Sequence, residues 1–275
     1  MKKLLILLLI AFPVSGAFAQ LSLAPTAVYL DKNGIGNLYI TNNSAVSQEI
    51  TINFQFGYSA QDENGVLVMV YEDSLNAKTW GLHNMIKAFP RTFILPPNQQ
   101  QIVRFQARIP KGTPNGTYFT RIKVGSSGQV ADVGDANVAE GAVTTRVNLR
   151  FEQVIAAFYK NGEVTTGIAI EKVETKSDSN LVLLDTYFKT TGNSPYLGKV
   201  KISLKAPDGK IIGESSQGVA MYFSGKRRFS FFAKEPLKPG RYEVEYTFET
   251  NRNDIPSDDL VQAKPYTYRT AVIIN

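Results

Sequence analysis

The sequence predicts an all-β protein built from two immunoglobulin-like β-sandwich domains in tandem. Apolar and polar residues alternate with a period of two along most of the chain, which is typical of strands with one buried and one solvated face. Turn sequences separate these runs at residues 31–34, 63–65, 96–98, 114–116, 207–209 and 239–240. The length of 275 residues suits about two domains of roughly 150 residues each.

Residues 1–19 have the pattern of a cleaved secretory signal peptide. Lys2 and Lys3 precede an apolar run at residues 4–12, and Ala17 and Ala19 form a small-x-small cleavage signal before Gln20. Because a membrane helix needs about 20 apolar residues, this run is too short to span a bilayer. We therefore expect a periplasmic protein that is not embedded in the membrane, with an extracellular or cell-surface location as the alternative.

The mature chain is predicted to contain a first domain at residues 20–159 and a second domain at residues 160–275. About seven strands are expected in each sandwich, and those of the first begin near Leu23, Leu38, Ile50, Val66, Ile102, Thr117 and Val143. The link at residues 160–162 is short and polar, so we expect an angled pair of domains with a cleft between them. Residues 73–87 lack clean alternation, which indicates a helical turn or an irregular loop.

The composition excludes several kinds of chemistry. The chain has no cysteine and a single histidine, His83, so it cannot form a disulfide, a cysteine zinc site or a site with several histidine ligands. No Gly-x-Ser-x-Gly sequence supplies a serine nucleophile. We expect no catalytic residue, no metal and no cofactor. Because the basic residues are scattered despite a net charge of +6, we expect no nucleic-acid partner.

One long segment of the first domain has an unusual composition. Residues 125–142 read GSSGQVADVGDANVAEGA and contain no large apolar side chain. They directly precede the longest alternating run, at residues 143–151. A long segment of this kind inside a compact domain is often functional. It is interpreted either as a surface hairpin or as a mobile loop that lets the next strand be offered to a partner.

Three stretches of the first domain carry a resemblance to a known family. Residues 21–30 read LSLAPTAVYL, residues 88–105 read AFPRTFILPPNQQQIVRF, and residues 143–159 read VTTRVNLRFEQVIAAFY. They resemble, in order, the first strand, the proline-flanked strand with its Val-Arg pair, and the donor strand of the PapD-like periplasmic chaperones. These proteins assemble pili and fimbriae through outer-membrane ushers. The second domain resembles the family more weakly.

The resemblance implies a mechanism and a set of partners. A family member binds a secreted pilin-like subunit, an incomplete sandwich, by lending it an alternating strand, and an outer-membrane usher then receives the complex. Carried onto this chain, the inserted side chains are Val147, Leu149 and Phe151, with Val143 as a fourth. The alternative is that these side chains face the core of their own domain, as alternating strands commonly do.

The chain departs from the family at the two basic residues that hold the subunit's terminal carboxylate. The arginine expected after the first-strand Pro-Thr is Ala27, and the lysine expected before the aromatic end of the donor strand is Ala156. A buried carboxylate without a cation is costly. Either Arg146, Arg150 or Lys160 replaces these residues, or this chain has no carboxylate anchor.

Two other classes of function remain open from the sequence. The chain could be a non-enzymatic cell-surface or extracellular scaffold or adhesion protein built of immunoglobulin-like modules. It could also be a carbohydrate-binding module, in which Trp80, the one tryptophan, would be exposed in a row of aromatic side chains. His83 and Trp80 are both interpreted as packing residues.

Overall fold

The computed structural model describes residues 20–128, 149–234 and 236–274, and these form two β-sandwiches in tandem. The prediction of the fold class is confirmed. The elements of the first sandwich are β1 Leu21–Ala24, β2 Ala27–Leu30, β3 Ile35–Asn42, β4 Gln48–Gln55, β5 Tyr58–Gln61, β6 Leu67–Val70, α1 Ser74–Trp80, β7 Ile86–Phe89, β8 Thr92–Leu95, β9 Gln100–Ala107, β10 Gly116–Gly128 and β11 Arg150–Asn161. Those of the second are β12 Thr166–Asp178, β13 Leu181–Gly192, β14 Tyr196–Lys205, β15 Ile211–Met221, β16 Gly225–Phe232, β17 Gly240–Glu249 and β18 Tyr266–Ile274.

The first sandwich packs a four-stranded sheet on a five-stranded sheet. The order of strands is β1-β3-β9-β7 in one sheet and β2-β11-β10-β4-β8 in the other. Alternate residues of both sheets meet in one core, in which Leu38 and Phe105 from the first sheet and Ile52 and Ile122 from the second are fully buried. The alternation seen in the sequence therefore marks the faces that form this core.

The second sandwich packs sheet β12-β13-β16 on sheet β15-β14-β17-β18. Its core is rich in aromatic side chains, among them Phe229, Tyr246 and Phe248, all of them fully buried. Strand β11 of the first sandwich continues through Asn161 and strand β12 begins at Thr166, so the link between the sandwiches spans residues 162–165. A link of this length keeps the two sandwiches close together.

The first strand of the chain changes sheets at Pro25 and Thr26. Residues 21–24 form β1, which pairs antiparallel with β3, and residues 27–30 form β2, which pairs parallel with β11. Proline has no N–H to donate to a sheet ladder, which suits it to the point where the chain leaves one sheet. The crossing connects the two sheets of the sandwich at one edge.

Two short elements lie between β4 and β7. Strands β5 and β6 form a two-stranded hairpin, and helix α1 follows it. Asp73 caps this helix, because its carboxylate accepts a hydrogen bond of 3.0 Å from the backbone N–H of Asn76. Of the two alternatives for residues 73–87, a helical segment is therefore the one that forms. The sequence pattern does not predict β5 or β7 as separate strands.

A buried amide joins two connections at one end of the first sandwich, the one between β3 and β4 and the one between β8 and β9. The side chain of Asn42 is fully buried. Its Nδ2 donates to the carbonyl oxygens of Val46 (2.8 Å), Leu95 (2.9 Å) and Pro96 (3.1 Å), and its Oδ1 accepts from the backbone and the hydroxyl of Ser44. Every polar atom of this side chain thus has a partner inside the protein.

Replacing Asn42 with alanine should lower the free energy of unfolding by about 2–3 kcal/mol, because the carbonyl groups of Leu95 and Pro96 lose the side-chain donor inside the protein. The measurement is equilibrium urea denaturation. Asn37→Ala, on the exposed face of the same strand, is the matched control and should change stability by less than about 0.5 kcal/mol. Equal effects of the two substitutions would contradict this role for Asn42.

Candidate functional site

Half of strand β11 is an open sheet edge. On one side, β11 pairs with β10 from Arg150 to Asn161. On the other side, β2 covers only Ala156 to Tyr159. Because β1 belongs to the other sheet, no described strand pairs with residues 150–155 on that side. The main-chain N–H and C=O groups that point away from β10 are thus available to a further strand.

A row of apolar side chains runs along this open edge. Leu149 is 61% exposed and Phe151 is 45% exposed. They have the same parity in the strand as Ile155 and Ala157, which pack in the core of the first sandwich. Gln153 lies between them on this face, and its Nε2 donates to the carbonyl oxygen of Leu21 at 3.0 Å. Since side chains alternate along a strand, Leu149 and Phe151 extend the core-facing row beyond the edge of the sandwich. The large apolar side chains of Leu149 and Phe151 are therefore exposed to solvent at this end of the strand.

The opposite face of the same edge is charged. Glu152 forms an ion pair of 2.9 Å with Lys123 on β10, and the guanidinium of Arg150 lies over Gly125. Both charged side chains alternate with Leu149 and Phe151 and therefore point away from the apolar row. The same face also carries Val154, which is 39% exposed. The edge thus presents Leu149 and Phe151 on one face, and two charged side chains with one valine on the other.

The structure locates only some of the residues predicted to bind a partner. Leu149 and Phe151 lie on the open edge. Val143, Arg146 and Val147 lie outside the described residues. Of the other predicted basic residues, Arg150 lies on the charged face, whereas Lys160 reaches the second sandwich. The Lys160 Nζ donates to the backbone oxygens of Asp258 at 2.7 Å and of Asp259 at 3.3 Å.

Ala27 and Ala156 are direct neighbours at the junction of the two sandwiches. They are register partners in the parallel pair of β2 and β11. Both pack against a cluster of aromatic side chains that connects the sandwiches. We call this the aromatic junction; its buried members are Phe56, Phe119, Phe158 and Tyr222.

Ring stacking in the aromatic junction crosses from one sandwich to the other. The rings of Tyr29 and Phe158, both of the first sandwich, are stacked with centroids 5.1 Å apart. Tyr222 of the second sandwich stacks on Phe158 at 6.3 Å and lies 4.8 Å from Phe119. Aromatic pairs at these distances add to the stability that burial alone gives, so the junction holds the sandwiches against one another.

Arg121 is the cation nearest in register to Ala156. It lies on β10 directly opposite Ala156. Its Nε donates to the carbonyl oxygen of Gly57 at 3.0 Å, its Nη2 donates to the hydroxyl of Tyr222 at 3.1 Å, and the guanidinium lies 5.4 Å from the centre of the Tyr222 ring. Burial raises the pKa of the Tyr222 phenol, and Arg121 opposes this shift. Arg121 therefore binds across the junction.

Sequence reasoning misses the aromatic junction, although β10 contains a signal for it. Tyr118 and Phe119 are adjacent and point to opposite faces of the strand, yet both are buried. Tyr118 packs in the core of the first sandwich and Phe119 packs in the junction. Two adjacent large aromatic residues in a strand indicate that both faces are covered, one of them by another domain.

His83 and Trp80 lie near the junction. The His83 ring lies 6.2 Å from the ring of Phe56, and burial lowers the pKa of the imidazole. Trp80 ends helix α1 and its ring lies 5.9 Å from that of Tyr118. Within the described residues there is no group of three or more His, Cys, Asp or Glu side chains that could hold a metal ion. The same residues contain no helix long and apolar enough to cross a membrane.

The contact between Arg121 and Tyr222 should appear as a coupling free energy in a double-mutant cycle. Arg121→Met keeps the aliphatic stem and Tyr222→Phe keeps the ring. Each substitution should lower the free energy of unfolding by about 1 kcal/mol, and together they should lower it by less than the sum, because both remove the same hydrogen bond. Urea denaturation measures the cycle, with the exposed Arg104→Met as control. Strictly additive effects would refute the contact.

Comparisons with known proteins give matches in structure alone. No family model matches this chain, and no curated protein matches it. The chain is similar in structure to the YadV chaperone, at 11% identity and a TM-score of 0.49 over 92% of this chain and 100% of that one. It is also similar to a structure of Salmonella enterica SafA pilin with the SafB chaperone (11% identity, TM-score 0.43, 90% and 95% covered). A third similar structure is that of the E. coli chaperone DraB, at 14% identity and a TM-score of 0.42 over 91% of this chain and 96% of that one.

Proposed function

We propose that this protein is an exported chaperone of the pilus and fimbrial assembly type, which binds secreted β-rich subunits by donating the open edge of β11. The observation that carries this function is the one-sided pairing of residues 150–155 beside the exposed side chains of Leu149 and Phe151. An edge that presents both free main-chain groups and an apolar row is suited to accept, and to complete, a foreign sheet.

The physical basis of binding is β-augmentation. Main-chain hydrogen bonds give affinity without regard to sequence, and alternate side chains fill pockets in the partner. Leu149 and Phe151 have the same parity as Val143 and Val147, so an extended strand carries all four on one face. Full burial of each large side chain contributes about 1.5–3 kcal/mol. The edge thereby offers a secreted subunit a large part of the apolar surface that an incomplete sandwich lacks.

Such binding also protects the subunit. An incomplete sandwich exposes unpaired strand edges, which promote aggregation. A chaperone strand seated in the gap covers these edges until the subunit is passed on, and an outer-membrane usher is the proposed acceptor.

The carboxylate-anchor role of Arg146, Arg150 or Lys160 stays a prediction. Donation of a strand does not depend on it, because the main-chain hydrogen bonds and the apolar row act along the edge itself. In the free chain, the Lys160 Nζ is already bound to two backbone oxygens of the second sandwich. An anchor at Lys160 would therefore have to exchange these bonds for the carboxylate.

Replacing Leu149 and Phe151 together with threonine should lower the amount of co-purifying client at least tenfold, because the apolar row loses about 3 kcal/mol of burial while the strand keeps a good β-former. The measurement is affinity purification from a periplasmic extract with mass spectrometry of the retained proteins. Backbone amide exchange of residues 149–155 should also slow in the complex.

The matched control is Phe232→Thr with Ile273→Thr, which removes two comparably exposed apolar side chains from the second sandwich. It should leave the client level unchanged. Equal client levels with both double variants would contradict the donor-strand function. Backbone amide exchange that stays fast at residues 149–155 in the complex would also contradict it.

Export should remove residues 1–19, so the intact mass of the periplasmic protein should correspond to a chain that starts at Gln20. Ala19→Leu should leave an uncleaved precursor, because the peptidase needs a small residue there. Ala11→Leu, within the apolar run, should not affect cleavage. A mature chain that still carries Lys2, or a pool found only at the cell surface, would contradict periplasmic action.

A further inference from the structure

The chain crosses between the two sheets of the first sandwich a second time, at Pro90 and Arg91. Strand β7, before the crossing, pairs antiparallel with β9, and strand β8, after it, pairs antiparallel with β4. Both strands lie at the end of their sheet's strand order, opposite to β1 and β2. The sandwich therefore has a second border at which one segment of the chain is divided between the two sheets.

This second crossing leaves the end of β4 uncovered. Strand β8 pairs with β4 only from Gln48 to Thr51. Beyond it, the backbone N–H of Ile52 donates to the Arg91 carbonyl at 2.9 Å, and the Arg91 Nε donates to the Ile52 carbonyl at 3.3 Å. Because the direction of the main-chain groups alternates along a strand, those of Phe54 point to the same side as those of Ile52. No described strand pairs with Phe54 on that side.

Strand β7 also has unpaired main-chain groups. The carbonyl oxygen of Met85 accepts from the backbone N–H of Arg108 at 2.8 Å, so the main chain of Met85 points toward β9. By the same alternation, the N–H and C=O groups of Ile86 and Ala88 point away from β9. No described strand pairs with β7 on that side. These groups form an open sheet edge, which is a template for a further strand.

A groove of about 640 Å³ lies between the open ends of β4 and β7. Phe54 lines it from β4, and Ile86 and Ala88 line it from β7. The Phe54 ring packs edge-on against Phe105 with the ring centroids 5.8 Å apart, so its position is fixed by the core. The volume is within the range of roughly 300–1,000 Å³ that ligand sites have. The groove thus combines apolar walls with unpaired main-chain groups on both sides.

The sheet beside this groove is positively charged. Strands β1, β3, β9 and β7 contain no Asp or Glu, and their basic residues are Lys87 and Arg104, both exposed on the outer face. Phe89 lies opposite Arg104 in register and is 52% exposed. Arg91 adds a third cation, and none of the described residues that line the groove is Asp or Glu. This charge is complementary to an acidic partner.

We propose that the outer edge of β7 accepts an extended segment of a partner polypeptide as a further antiparallel strand, and that this segment alternates apolar with acidic residues. Main-chain hydrogen bonds to Ile86 and Ala88 hold the segment. Its apolar side chains face Phe54 in the groove, and its acidic side chains lie beside Lys87, because paired strands place opposite residues on the same face. The protein receives a strand here, whereas at β11 it donates one.

A second copy of this chain fits the edge poorly. Antiparallel pairing of β7 with another β7 would bring the Lys87 side chains of both copies onto the same face of one sheet, close to one another, and like charges in such positions are destabilising. An acidic partner segment has the opposite effect at Lys87. The charge of the edge therefore favours a different polypeptide as the occupant.

Three peptides labelled with fluorescein test the occupant. The acidic peptide is Gly-Ser-Val-Glu-Val-Glu-Val-Ser amide, the basic peptide has lysine in place of both glutamates, and the proline peptide has proline in place of the central valine. Fluorescence anisotropy with the full chain measures their affinities. The basic peptide should bind at least about threefold more weakly than the acidic one, because its charges repel Lys87. The proline peptide should bind at least about tenfold more weakly, because it lacks a main-chain donor.

Hydrogen exchange on the complex with the acidic peptide locates the bound strand. Backbone amide exchange at Ile86 and Ala88 should slow, because their N–H groups gain an acceptor. Exchange at residues 150–155 should not change, since the donor edge lies on the other side of the sandwich.

Lys87→Glu should reverse the charge preference of the edge. This exposed substitution should lower the affinity for the acidic peptide about threefold to tenfold and raise the affinity for the basic peptide by a similar factor. Lys210→Glu, at an exposed position of the second sandwich, makes the same change in net charge and should alter neither affinity. The Leu149 and Phe151 double variant should bind the acidic peptide as the wild type does, so the two edges can be tested separately.

Several results would overturn the strand-accepting edge. They are no binding of the acidic peptide at millimolar concentration, equal affinity for the acidic and proline peptides, unchanged preference in Lys87→Glu, and unchanged exchange at Ile86 and Ala88 in the complex. Sedimentation velocity of the free chain tests the second copy as occupant. A dimer in which exchange at Ile86 and Ala88 is already slow would assign the edge to self-association and would also overturn the proposal.

Discussion

The crossing of the first strand at Pro25 and Thr26 is the constraint on which the proposed function depends. Because β1 joins one sheet and β2 joins the other, the same short segment covers Ala156 to Tyr159 of β11, and no strand among the described residues covers residues 150–155 on that side. A first strand that stayed in one sheet would either cover the whole of β11 or none of it. The open edge is thus created by the path of the chain.

The alternation of the sequence predicts both sandwich cores, because a strand with one wet face must place its apolar residues on the other. It also predicts that Leu149 and Phe151 share a face with Ile155. It does not predict that they are exposed, since exposure depends on where β2 ends, and this is set by the crossing. Parity is a local property of a strand, whereas the burial of an edge depends on a segment about 120 residues earlier.

The junction between the sandwiches also depends on contacts between distant parts of the chain, which the sequence pattern does not predict. Ala27 and Ala156 are recognisable in the sequence as positions that lack a cation, but their register pairing and their contact with Phe158 and Tyr222 exist only in the folded chain. Arg121 approaches Ala156 from the neighbouring strand, and nothing in the spacing of the residues indicates this. Aromatic stacking and one cross-junction arginine occupy the place where the family resemblance implies two basic residues.

Tyr222 connects the edge strand to the second sandwich. Its ring belongs to the aromatic junction, where it stacks on Phe158 of β11 with the ring centroids 6.3 Å apart. A partner bound on the open edge of β11 therefore acts on a strand whose other end is packed against the second sandwich. Because a close-packed interior transmits strain, a shift of β11 would reach the second sandwich through these rings.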